Sequence, residues 1–513
     1  VVITTLHCDC FVVFQFSIVD MVRFCLHSPC FVILTFIVRV QSTKEYVEEE
    51  HGLASLLGGQ EEAEHFLRSV WGKDQPYFRK SSTQHDSGTK PLLWSLKLME
   101  YYLNKVGEEP WIYENDIKMV KSGKVHYQSQ EPGTWEDVQN NLVEGVTIVM
   151  HGLQKRHKPI QQLSAALERE LEIFVGANSY LTPGGSTGFN PHWDWHDIMV
   201  IQLEGSKNWT VCEQREVDLY RFQVGIIDGI YKPGEDFGSC TDYVFQPGDV
   251  FYAPLGTIHY ATANAQHTSD TPYSLHLTLS LTRQQFTWGQ FLHDLIETET
   301  KYYSSKLSSI VASNKRLQEQ VPLESLHSIA RSIDNVDLPF RFLENLRQQV
   351  QDLVTQELTS APQLQSFLQS QLDPSKHQLE ETVEIFRYKM VMGRIKEPPN
   401  CASTFKVADV DALQFSRLGK HGIMLEQLDD RAVLVTGNRD DEQFDFPRRW
   451  KLGLRYALGA WWEQSRGKNF RVQDVMQAAH LSRSEAIEML QQLVKACLLD
   501  WRRDDDDSIP LVQ

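Results

Sequence analysis

Three shortages narrow what this chain can be: little cysteine, no excess of basic charge, and no apolar run of bilayer-spanning length. Eight cysteines in 513 residues do not make a disulfide framework. Cys8, Cys10, Cys25 and Cys30 crowd the start of the chain. Cys212, Cys240, Cys401 and Cys497 are scattered and lack C-x-x-C spacing, so the body reads as reduced and intracellular. Fifty basic against 68 acidic residues leave a net charge of −18. A generic binder of phosphate backbone would normally show a basic surface instead. An acidic enzyme acting on a basic partner fits, because opposite charge steers encounter. The run Cys30–Val38 is nine apolar-leaning residues between Pro29 and Arg39, well short of the roughly 20 that cross a bilayer.

What remains is ordinary globular composition, 41% hydrophobic and 23% charged, which excludes a wholly disordered, collagen-like or coiled-coil protein. At about 150 residues per domain the length suggests two to four domains. No internal repeat is visible.

Residues 1–45 stand apart: apolar, nearly free of acid, and beginning with Val. Translation from Met21 would make Arg23, the run to Val38 and the small residues beyond resemble a signal peptide. Wrongly translated upstream sequence is the favoured alternative. Residues 46–283 open with polar helical segments bearing the stripe Phe66, Val70 and Trp71. From about residue 111, short β-rich runs are broken by Gly, Pro and Asp: Ile198–Leu203, Asn208–Cys212, Val250–Ala253 and Ile258–Thr262. Close spacing of such runs predicts a sandwich or barrel. Ser274–Thr282 alternates strictly between polar residues and leucines, so one face is polar and the other apolar. In a small barrel the polar face would line a cavity.

Residues 284–396 turn helical, with a stripe through Leu343, Leu346, Val350, Leu353 and Val354. Residues 397–513 give short strands (Ile423–Leu428, Ala432–Thr436) and then a helix–turn–helix. Its second helix opens on the capping box Ser482-Arg483-Ser484-Glu485. With Leu498–Trp501 this predicts a winged helix. The Asp504–Asp507 run beside it would repel DNA phosphates, so no direct DNA binding is expected.

The chemistry concentrates in Asn190-Pro-His192-Trp193-Asp194-Trp195-His196. His192 and Asp194, two apart on a strand, project to the same side and can reach one ion. Two histidines and one carboxylate on one face of an octahedron hold Fe(II) with three positions open, as an oxygenase using a 2-oxo acid and dioxygen requires. His259, after the Pro247-Gly-Asp turn and a short apolar strand, is the natural third ligand. His-x-Asp alone is a weak signal, and its bland reading is a polar pair in a loop. Lys207 opens a strand after Glu204-Gly-Ser and can pair with the distal carboxylate of the oxo acid; on its own it would be a solvated turn lysine. Asn178 and Tyr180 share strand parity leading into the loop. Ser280 and His276 share the polar face of the alternating strand, and either can line the cavity.

The runs Asn178-Ser-Tyr180-Leu-Thr-Pro-Gly-Gly-Ser-Thr-Gly-Phe-Asn-Pro-His192-Trp-Asp194, Gln202–Trp209, Pro247–Pro254, Gly256–His259, Ser274–Ser280 and Thr287–Leu292 resemble the JmjC-type ribosomal oxygenases. The resemblance covers roughly residues 50–503. It implies a mixed α and β fold: a double-stranded β-helix (cupin/JmjC) barrel over 46–283, a helical dimerisation region over 284–396 and a C-terminal winged-helix domain over 397–513. It further implies Fe(II), 2-oxoglutarate and dioxygen, with hydroxylation of a histidyl residue of a ribosomal protein. Histone N-methyl-lysine demethylation and a non-catalytic chromatin or ribosome-assembly scaffold are the alternatives. By position His192, Asp194 and His259 match the iron ligands, Lys207 the 2-oxoglutarate partner, and Asn178, Tyr180 and Ser280 polar residues of the site. A homodimer and a nuclear or nucleolar location follow from the family. The apolar N-terminus, in place of a polar or basic extension, leaves organelle targeting open. Trp193 and Trp195-His196 flank Asp194 where the family usually has Tyr-Asp-Asp, which makes His196 a rival imidazole for the metal.

Overall fold

The computed structural model describes residues 52–73, 75–81, 93–105, 110–127, 131–212, 228–230, 239–264, 272–296, 301–334, 337–393, 405–417, 423–427, 430–436, 443–458, 469–496 and 498–503. The N-terminal segment 1–45 and the acidic run Asp504–Asp507 lie outside them.

Among the described residues, thirteen strands build the first half: β1 (Tyr77–Arg79), β2 (Ile117–Lys121), β3 (Lys124–Tyr127), β4 (Thr147–Met150), β5 (Val175–Pro183), β6 (His192–Asp194), β7 (Asp197–Glu204), β8 (Lys207–Cys212), β9 (Asp228–Ile230), β10 (Cys240–Phe245), β11 (Val250–Ala253), β12 (Ile258–Ala263) and β13 (Tyr273–Leu281). Eight form a larger sheet, β1-β11-β7-β13-β5-β4-β2-β3, and five a smaller one, β10-β8-β12-β6-β9. All pairings are antiparallel. The chain crosses repeatedly between sheets, which makes the two-layered barrel of a double-stranded β-helix. The runs expected to be strands are β7, β8, β11, β12 and β13, each within a residue or so of its expected ends. β1 was not expected: three residues on a sheet edge carry too little periodicity to show.

The alternation of β13 sorts its side chains as its period requires. Leu275, Leu277, Leu279 and Leu281 point to the outer face, where helices cover them. One such helix, Lys158–Leu171, repeats Ile160, Leu163, Leu167 and Leu171 at helical spacing and buries all four. Burying each contributes about 1.5–3 kcal/mol. A proline near its first position starts the helix, and Glu172 at φ 50° ends it. The opposite face of β13 is not solvated: Ser274, His276 and Thr278 are buried between the sheets. There they meet a second, smaller apolar cluster of Ile198, Val200, Trp209, Val211, Phe245, Phe251 and Ala253.

The helical region and the C-terminal module follow. In helix Phe340–Glu357, Leu346, Val350, Leu353 and Val354 are buried in the protomer's own core, and Leu343 packs against it. Within the expected dimerisation region this stripe is therefore interior, because the neighbouring helices supply its apolar partners. The C-terminal module has its own core. Helices Val472–Ala479 and Arg483–Lys495 precede strand Leu499–Arg503, which pairs with Leu413–Arg417. Ser482 and Glu485 form the expected capping box. Arg455 ties this module to the helical region through Asp334 and Asp337.

One expectation fails outright. Cys212 and Cys240 are joined by a disulfide, so the body is not wholly reduced. Sequence spacing hid the pair because it is made by the β8–β10 register, which sets the two residues directly opposite.

Candidate active site

His192 and Asp194 lie on β6, and His259 on the adjacent β12 directly opposite His192. One ligand atom from each of the three lies within 4.8 Å of the others. Asp194 Oδ2 is 3.6 Å from His259 Nε2, and the two imidazole centroids are 4.4 Å apart. Both rings are turned the same way by the backbone. His192 Nδ1 sits 2.9 Å from the Asn190 carbonyl, and His259 Nδ1 2.9 Å from that of Thr257. A carbonyl only accepts, so each Nδ1 carries the proton and each Nε2 offers a lone pair. Burial, with His192 beside it, pushes His259 down to about 4, leaving a neutral imidazole at physiological pH. Two imidazole nitrogens and one carboxylate, converging with their tautomers set, fit a divalent iron. His196 is not part of the cluster found among the described residues. Trp195 packs against the main core, the bland role for an aromatic beside a barrel mouth.

Lys207 is buried and reaches from the smaller sheet to the larger, donating to Thr182 Oγ1 at 3.0 Å. Burial pushes its ammonium down to about 7, the mark of a cation held without a carboxylate. His276 is near enough to both Lys207 and His259 to feel their charges. Its ring stacks on Tyr180 at 4.8 Å and meets Trp209 edge-on at 5.4 Å. Burial, then the nearby Lys207, holds it far below the ordinary histidine value, and its buried Nδ1 has no hydrogen-bond partner among the described residues. A buried cation and an orphaned polar nitrogen on one side of three metal-type ligands make a cradle for a small dianion.

The remaining expected residues divide. Tyr180 lies directly opposite His276, on the same face of the sheet. Asn178 shares that face, but its Oδ1 accepts from Gly152 N at 3.1 Å and its amide also bonds His151, so it braces the neighbouring loop. Ser280 is four residues along β13 from His276, about 13 Å away, at the far end of the face. Thr182 and Trp209 escaped the sequence reading. Strand parity with Tyr180 and Lys207 was the available signal.

Next to strand β6 sits a buried ionic node. Arg283 Nε and Nη2 donate to Asp197 Oδ2 and Oδ1 at 2.6 and 3.0 Å. The same carboxylate accepts from Tyr252 Oη at 2.9 Å and Leu255 N at 2.7 Å. Gly256 N donates to the Asp194 carbonyl at 3.0 Å. Asp197 thus clamps the segment after Asp194 to the turn before His259. Nothing in sequence spacing announces it, since Arg283 lies 86 residues away.

The profile of the JmjC domain family matches residues 152–286, a span containing the three ligands, Lys207 and Arg283. The chain carries a JmjC domain. It is 31% identical over 228 residues to mouse "Ribosomal oxygenase 2", covering 44% of this chain and 45% of that one. It is 29% identical over 254 residues to the Aedes aegypti "Bifunctional lysine-specific demethylase and histidyl-hydroxylase NO66", covering 46% and 36%. The chain thus spans less than half the length of these curated relatives. Among solved structures it is similar to that of "YcfD a Ribosomal oxygenase from Escherichia coli in complex with Cobalt and 2-oxoglutarate", at 16% identity and a TM-score of 0.39, covering 86% of this chain and 98% of that one.

Proposed function

We propose that the protein is an Fe(II)- and 2-oxoglutarate-dependent protein hydroxylase acting on a histidyl residue of a basic ribosomal protein. The observation that carries this is the convergence of His192, Asp194 and His259, with the buried Lys207 near them in the interior of the barrel. Iron with 2-oxoglutarate and dioxygen supplies oxidation of a substrate C–H to an alcohol, with release of succinate and carbon dioxide. The chain's own residues do the rest. Lys207 binds the distal carboxylate of the oxo acid, and Tyr180 and His276 form one wall of its seat. Val200, Val211 and Phe251 keep water from the interior. The histidyl choice is supported by the names of the relatives and by the net charge of −18, which suits a basic partner.

The test is incubation with Fe(II), 2-oxoglutarate and a panel of ribosomal-protein and histone-tail peptides, read by mass spectrometry. Succinate formation coupled to gain of one oxygen on a ribosomal histidine is the expected result. Loss of a methyl group from lysine would make the protein a demethylase, the other activity in the mosquito relative's name. Absence of peptide-coupled succinate would make it a scaffold. As further parts of this reading, we place the protein in the nucleus or nucleolus and take it to be a homodimer. Ile385 and Tyr388, exposed on helix Gln378–Gly393, offer an apolar surface in place of the interior stripe.

A further inference from the structure

Cys212 closes β8 and Cys240 opens β10, directly opposite each other, with Cα atoms 3.9 Å apart and sulfurs bonded. The chain between them carries β9, whose residues pair one-to-one with His192, Trp193 and Asp194 of β6. On its other side Cys212 pairs with Ile258, the residue before His259. The bond therefore pins both ends of the segment that supplies the outer neighbour of the ligand-bearing strand. Its two halves differ in access: Cys212 is buried at 2% exposure and Cys240 is exposed.

We propose that Cys212 and Cys240 form a reversible thiol–disulfide site that sets how firmly β6 is held, and through β6 the metal affinity of His192, Asp194 and His259. The proposal rests on the reading of that trio as a metal site. The reductant is a small thiol of the glutathione class. Its thiolate attacks Sγ of Cys240, the S–S bond breaks, and Cys212 leaves as a thiolate that takes up a proton. A second thiol then attacks the glutathione sulfur of the mixed disulfide, releasing Cys240 as a thiol and glutathione disulfide. Two small thiols are oxidised as one protein disulfide is reduced. Glutathione disulfide drives the reverse.

Closing a loop with a separation of 28 residues narrows the states open to it by at most roughly 400-fold. The experiment uses the full chain, oxidised with glutathione disulfide or reduced with a phosphine, its thiol count checked by alkylation and mass spectrometry. Amide hydrogen exchange is followed at 192–194 and 228–230, and Co(II) is titrated by visible absorption. Reduction is expected to speed exchange at both segments by about 10- to 400-fold and to weaken Co(II) binding by about tenfold. The double variant Cys212→Ser/Cys240→Ser is expected to match the reduced protein in either buffer. Equal exchange and equal Co(II) affinity in the two states would overturn the proposal, as would a redox response surviving in the double variant. If neither state binds Co(II), the metal reading fails, and the exchange data alone decide whether the bond holds β6.

Discussion

Replacing Lys207 with Met should push stability and function in opposite directions. The Nζ of Lys207 is buried, donates to Thr182, and has no carboxylate partner among the described residues. Its fall from 10.5 to about 7 corresponds to about 5 kcal/mol of burial cost borne by the charged form. Because the folded value lies below the unfolded one, that cost is complete below pH 7 and fades as pH rises toward 10.5. Lys207→Met removes the cation and also the bond to Thr182, an offset of about 1 kcal/mol. With imperfect refilling of the space, the ligand-free protein should gain about 1–4 kcal/mol at pH 6 and much less at pH 9. Urea denaturation at the two pH values measures this. The requirement for 2-oxoglutarate should rise by roughly 30- to several-thousand-fold, the equivalent of about 2–5 kcal/mol for a lost partner of a buried carboxylate. In the wild type, 2-oxoglutarate binding above pH 7 should take up a proton, visible by calorimetry in buffers of different ionisation enthalpy. A variant that is destabilised at pH 6, or that keeps its 2-oxoglutarate requirement, would refute the assignment. The contact would then belong to another cation; Arg215 and Arg221, which follow Lys207 in the chain, lie outside the described residues.

Asp194→Ala or His259→Ala should abolish turnover and strongly weaken Fe(II) or Co(II) binding with the fold intact by circular dichroism, whereas His196→Ala should bind metal nearly as the wild type; loss of metal in the His196 variant would show that the wrong imidazole was chosen. Asp197→Ala should cost about 3–5 kcal/mol in denaturant, because it removes the carboxylate that balances the buried Arg283 charge, and a loss under 1 kcal/mol would show that the node is dispensable.

Features set by neighbours along the chain were legible in the sequence. His192 and Asp194 share a side because a strand repeats every two residues. The same period divides Ser274–Thr282 into a leucine face and a polar face, and Ser482 with Glu485 caps a helix through bonds three residues apart. The match of separated runs to a family pattern supplied His259 and Lys207. Tertiary structure alone decided what lay across the gaps between elements. It showed that the polar face of β13 is buried between the sheets, that Lys207 reaches Thr182 in the other sheet, and that Asp197 meets Arg283. It likewise turned the stripe through Val350 and Val354 inward and set Cys212 against Cys240. Periodicity states which residues share a face. Which surface that face meets depends on strand order and register between distant segments, and those emerge only when the layers pack.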